Sequence, residues 1–138
     1  MSHLPETQKS ALLAAAAQIR AHAHAPYSQF QVGAALLAAD GLIYTGVNVE
    51  NASFGLTVCA ERNAIGQMVT AGQTTIHALA VCTSNGVSPC GACRQVIAEF
   101  ATPDTPVWIS DTSGNIRLTT VGQLLPDGFG PDQLPPTA

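Results

Sequence analysis

The chain is poor in charge. Lys, Arg, Asp and Glu make up 10% of its 138 residues, with five basic side chains in all and a net charge of −4. Average soluble domains carry about a quarter. A basic face is the footprint of a nucleic-acid binder, and five cations cannot build one, so no nucleic-acid partner is expected. Two of the five, Arg62 and Arg94, stand beside cysteines, which leaves Lys9, Arg20 and Arg117 for everything else. No apolar run reaches the length of a membrane span, so no membrane partner is expected either. The most apolar stretch, ALLAAAAQI at 11–19, is flanked by Lys9 and Arg20 and belongs to an amphipathic helix. The opening MSHLPETQKS lacks a signal-peptide pattern. Internal repeats and a linker-like stretch are also missing, which argues for one domain over residues 1–138. The expected compartment is the cytoplasm, where thiols stay reduced.

What the chain does have is apolar residues (46%) and four cysteines. A small chain exposes much surface for its volume. So little charge on that surface argues for other copies of the chain covering part of it, a homo-oligomer. Reduced cysteines favour metal binding or catalysis over disulfides. The partner is expected to be a small molecule.

Element signals run in the order helix, hairpin, helix, strand, helix, strand, strand. Residues 5–24 read as the first helix, broken at Pro26. The hairpin is FQVGAALLAADGLIYTGVNVE, turning at Ala39-Asp40-Gly41. A second helix spans Cys59 to Gly72, HALAVCTS is a buried strand, and a third helix spans Cys90 to Phe100. TPVWIS and IRLT are strands, TVGQLLP a short helix, and the tail after Pro126 is rich in Pro and Gly. Strands alternating with helices predict a layered α/β domain with a mixed sheet.

Chemistry concentrates in VCAERNA and SPCGACRQVIAEF. A C-x-x-C on the first turn of a helix puts Cys90 and Cys93 on one face, at the end carrying free N–H groups and partial positive charge. Cys59 has the same advantage at the start of another helix. Both settings favour the thiolate, the metal-ligating form. Cys82 lies in mid-strand and reads as a buried apolar residue. Three ligands with one position left for water is the pattern of catalytic zinc; structural zinc is closed by four. Glu61, two residues from Cys59, is then placed to move a proton. Three thiolates outweigh Zn²⁺ by one charge, and Arg62 and Arg94 are expected to offset this by donating to the sulfurs. A redox C-x-x-C pair would leave Cys59 and Glu61 without a role. A non-catalytic zinc module with Cys82 as fourth ligand remains the alternative from a different class.

C-A-E followed, after a gap of 27 residues between Glu61 and Pro89, by P-C-x-x-C resembles the zinc deaminase signature. With APYSQFQVGAAL, TGVNVENAS and SPCGACRQVIAEF the chain is similar to cytidine deaminases of the short, homotetrameric, three-cysteine type, from about Ala25 into the tail. The resemblance implies a three-layer α/β/α fold on a five-stranded mixed sheet. It implies one zinc per subunit on Cys59, Cys90 and Cys93, with Glu61 as proton shuttle and Arg62 and Arg94 behind the ligands. Asn48 and Glu50 would bind the ribose hydroxyls and Phe30 would pack on the nucleoside. Backbone at Ala60 and Pro89–Cys90 would read the pyrimidine edge. Ala52, Phe54 and Phe129 would reach into neighbouring subunits' sites, and the tail at 126–138 would pack on a neighbour. Taken without the motif, Glu50 reads as a solvated loop charge, Asn48 as a turn residue, and Phe30 and Phe129 as core. Gly33 serves either a close backbone approach beside the substrate or the relief of a strand. Relatives often carry tyrosine where this chain has Phe54, so the ring can still pack and one cross-subunit hydroxyl contact is lost. The implied reaction is hydrolytic deamination of cytidine and 2′-deoxycytidine; a related cytosine nucleoside such as blasticidin S is the alternative substrate.

Overall fold

A computed structural model describes residues 4–136 of the chain. Five strands form one mixed sheet in the order β2-β1-β3-β4-β5. They are β1 (Gly33–Ala38), β2 (Ile43–Val47), β3 (Ile76–Thr83), β4 (Pro106–Asp111) and β5 (Ile116–Thr120). β3 and β4 pair in parallel and every other neighbour pair is antiparallel. Helix α1 (Glu6–Ile19) covers one face; α2 (Ala60–Thr70), α3 (Gly91–Glu99) and the short α4 (Val121–Leu124) cover the other.

Alternation along the strands builds both layers. Ala35 and Leu37 of β1, Ala78, Ala80 and Cys82 of β3, and Trp108 of β4 meet Leu12 and Ala16 of α1. Their neighbours Leu36, Leu79, Val81, Val107 and Ile109 face Ala64, Ile65 and Met68 of α2 and Ile97 of α3. β1 is buried along its whole length. That is why it reads as a continuous apolar run and not as a half-buried strand.

The hairpin turns where expected, with Gly41 at φ +82. The first helix differs from expectation. It ends at Ile19, tightens to a 3-10 turn over Arg20–His22 and is finished before Pro26. Tertiary anchoring ends it: Arg20 Nε donates to the Gln31 carbonyl at 2.9 Å. The same approach explains Gly33. A Cβ there would lie 2.1 Å from the Ala16 carbonyl oxygen, so the close backbone contact is with α1, not with a substrate. Gly46 does the same for α2, where a Cβ would lie 2.3 Å from the Ala64 nitrogen. These two contacts set the helices on the sheet and so place the N-terminus of α2.

Candidate active site and metal centre

Cys59 and Cys90 are the residues immediately before α2 and α3, and Cys93 sits on the first turn of α3. Neither helix start has a side-chain cap. The unpaired N–H groups of both therefore aim their positive ends at one point. The three sulfurs lie within 4.8 Å of one another, Cys59 and Cys90 at 3.7 Å. Two sulfurs bound tetrahedrally at about 2.3 Å from zinc stand about 3.8 Å apart, so the cluster fits that ion. Among the described residues no other His, Cys, Asp or Glu joins them. Cys82 is on the α1 face of the sheet while Cys93 packs on the opposite face, so Cys82 cannot close a four-cysteine site.

The thiols are unequal. Cys59 is held down to about 5, first by its contact with the Cys93 thiol and also by Arg62 and Cys90, with burial opposing. Cys93 is pushed upward, since it serves as partner to the Cys59 sulfur and is buried. Arg62 Nη2 donates to Cys59 Sγ at 3.5 Å, the contact expected of it. Arg94 differs: its Nε donates to the Pro89 carbonyl and its Nη1 to the Leu124 carbonyl, both at 2.8 Å. The guanidinium spans from the residue before Cys90 to the last residue of α4. Its reach is taken up by backbone, so it braces the loop before Cys90 and donates to no sulfur among the described residues.

Glu61, on the first turn of α2, is 3% exposed. Burial pushes its carboxyl above the ordinary range, and the charge at Cys59 adds to this. It opens onto a cavity of about 260 Å³ also lined by Phe30, Asn48, Glu50, Ala60 and Cys90. A buried carboxyl of raised proton affinity, set beside a three-thiol cluster, can take and return a proton.

The far end of the cavity is extended chain. Val49 bridges His24 on one side and Val58 on the other. Residues two apart on extended chain point the same way, so Asn48 and Glu50 both face the cavity. Asn48, 7% exposed, accepts from Val32 N–H at 2.9 Å and donates to the Phe30 carbonyl at 2.8 Å. Its amide thus fixes the segment that carries Phe30 into β1 and keeps one donor and one acceptor free. Glu50 accepts from the backbone N–H groups of Tyr27 (3.0 Å) and Ser28 (3.1 Å) and from the Ser28 hydroxyl.

Three expected contacts are not on this chain's cavity. Ala52 is exposed. Phe54, 72% exposed, stacks at a tilt on Tyr27, with ring centres 5.5 Å apart, beside an adjoining recess of about 250 Å³. Phe129, 57% exposed, lies in the tail, which Gln95 anchors by donating to its carbonyl at 2.8 Å. The last two residues of that tail lie outside the described residues. Sequence reasoning passed over Ser28 and Thr83. Thr83 Oγ1 accepts from Gly86 N–H at 2.8 Å and from Val87 N–H at 3.3 Å, and so shapes the loop leading to Cys90. The signal for Ser28 was a serine two residues before Phe30, the spacing of a side-chain-capped turn.

A family model described as the cytidine and deoxycytidylate deaminase zinc-binding region matches residues 6–109. A cytidine deaminase of Sporosarcina psychrophila is 50% identical over 125 residues, which span 89% of this chain and 92% of that protein. One from Mycobacterium tuberculosis is 40% identical over 134 residues, 96% of this chain and 97% of the relative. The crystal structure of cytidine deaminase from Burkholderia pseudomallei matches with a TM-score of 0.84 at 44% identity, covering 94% of this chain and all of the other. With its three-cysteine cluster and buried glutamate, the chain belongs to the cytidine and deoxycytidylate deaminase family of zinc-binding proteins.

Proposed function

We propose that this protein is a zinc-dependent cytidine deaminase that converts cytidine and 2′-deoxycytidine to uridine and 2′-deoxyuridine with release of ammonia. The observation that carries it is the single cavity joining Glu61 and the cysteine cluster at one end to Asn48 and Glu50 at the other. Cys59, Cys90 and Cys93 hold the metal, which when bound supplies the Lewis acidity that makes water a nucleophile at neutral pH.

The chain's own groups do the rest. Glu61 takes a proton as water adds at C4 of the pyrimidine and delivers it to N3. It then carries the proton of the added C4 hydroxyl to the amine, so that the C–N bond breaks, ammonia leaves and the C4 carbonyl forms. Arg62 offsets the excess negative charge of the thiolates. Ala60 and Pro89–Cys90 present backbone groups to the pyrimidine edge. Phe30, held by Asn48, packs on the nucleoside. Asn48 and Glu50 take the sugar hydroxyls, one donating and accepting, the other accepting only.

The assembly is read as a homotetramer in which Ala52, Phe54 and Phe129 contribute to neighbouring sites. Their exposure and the scarcity of surface charge support this. The whole chain acts as one deaminase domain. Its setting is the cytoplasm and its role pyrimidine salvage; among the described residues no helix is long and apolar enough to cross a membrane. Ammonia release from cytidine, deoxycytidine and blasticidin S by the zinc-loaded protein tests the reading. Turnover of the first two supports it. Turnover of blasticidin S alone, or of none, removes it.

A further inference from the structure

The turn Tyr27-Ser28-Gln29 is built around a carboxylate that is not its own. Gln29 takes a left-handed conformation at φ 57, a region uncommon for any residue that carries a Cβ. That conformation turns the Phe30 N–H back onto Ser28 Oγ, which accepts it at 3.0 Å. A hydroxyl has one proton. With Phe30 N–H donating to its oxygen, that proton is directed to Glu50 Oε2. Glu50 Oε1 meanwhile accepts from two backbone N–H groups of the same turn. An ionised carboxylate has about four acceptor sites. Three are taken by the chain, so one is left for a ligand.

We propose that Ser28 is a positioning residue for sugar recognition: its hydroxyl links Phe30, under the nucleoside, to Glu50, and orients that carboxylate so that it offers one acceptor to one sugar hydroxyl. This rests on the reading of Glu50 as a sugar contact. Ser28 touches neither the metal cluster nor the reacting atoms and acts through Glu50. Its hydroxyl is the leading cause that holds the Glu50 carboxyl below the ordinary carboxylate range, and the charge of His24, from the segment paired alongside, adds to it. Tyr27 lines the same recess, and among the described residues no basic side chain donates to Glu50.

The test uses the zinc-loaded protein and the variants Ser28→Ala and Ser28→Thr. Ser28 is exposed, so the added methyl of threonine has room. Losing a hydrogen bond to a charged group is expected to raise KM for cytidine about tenfold in Ser28→Ala, with kcat within about twofold. Ser28→Thr restores KM. With 2′,3′-dideoxycytidine, which lacks the 2′ and 3′ hydroxyls and keeps only the 5′ one, wild type and Ser28→Ala share one KM. Carboxyl carbon NMR titration of Glu50 moves upward in Ser28→Ala and returns in Ser28→Thr, so KM for cytidine begins to rise at a higher pH as the alanine variant is acidified. An equal penalty on the dideoxy substrate, a fall in kcat at constant KM, or an unmoved Glu50 titration overturns the proposal. If wild type fails to deaminate cytidine, the functional reading falls by itself, and the Glu50 titration still decides whether Ser28 controls that carboxylate.

Discussion

The two ends of the cavity are built from different materials. At the metal end, side chains ride on two helix starts that the Gly46 contact and the core packing of α2 and α3 hold against the sheet. At the sugar end, Asn48 and Glu50 ride on extended chain held by single bridges; the backbone of Phe30 and Val32 directs Asn48, and the turn at Tyr27 and Ser28 directs Glu50. The first arrangement buries Glu61 and Cys93 beside the Cys59 sulfur, and their proton affinities rise, at Glu61 first from burial and at Cys93 first from its contact with Cys59. The second keeps an ionised carboxylate partly in water and holds it low by hydrogen bonds. Chemistry that moves a proton suits the first; recognition that must stay charged suits the second.

Removing a ligand breaks the metal end most severely. Cys90→Ala is expected to lose zinc and activity and to melt at markedly lower temperature, because metal binding and folding are coupled. Metal analysis and calorimetry read this; a variant that keeps one zinc per chain contradicts the three-ligand assignment. The metal end also depends on the seat of α2. Gly46→Ala drives a Cβ into the Ala64 nitrogen and the Ala60 carbonyl, and is expected to cost about 1–3 kcal/mol with some loss of zinc affinity. Denaturant midpoints check it.

At the sugar end, Asn48→Ala leaves the Val32 N–H and the Phe30 carbonyl without partners, at about 1–3 kcal/mol. It is expected to raise KM more than it lowers kcat, with zinc retained. Equal losses in both constants would join the two ends that the geometry keeps apart. The smallest effect sharpens the contrast within the metal end. In zinc-free protein Cys59, held down to about 5, is a thiolate at neutral pH while Cys93 is not. Alkylation of Cys59 should level off above about pH 5 and fall tenfold per unit below it. Mass spectrometry of each cysteine reads the rates, and an equal response at Cys93 contradicts the asymmetry.

The metal end was legible in the sequence because it rests on local spacing. C-x-x-C at a helix start and Glu61 two residues from Cys59 are periodicity arguments, and the fold follows from strand and helix signals of ordinary kind. Arg94 was misread because adjacency to Cys93 says nothing of where a long side chain goes once α4 offers a carbonyl at Leu124. The end of α1 was missed since Pro26 is the stronger local signal, while the actual stop is the tertiary bond from Arg20 to Gln31. Gly33 had the right kind of reason and the wrong partner. The spacing of Ser28 and Phe30 signals a capped turn, but not its tie to Glu50, which is 22 residues away in sequence.

The most direct test of the central claim is cytidine turnover by Glu61→Gln with zinc measured in the same sample. The variant is expected to fold, to hold one zinc per chain and to turn over at a rate lower by about 10²–10⁴-fold or more. Near-normal turnover by that zinc-loaded variant would contradict it.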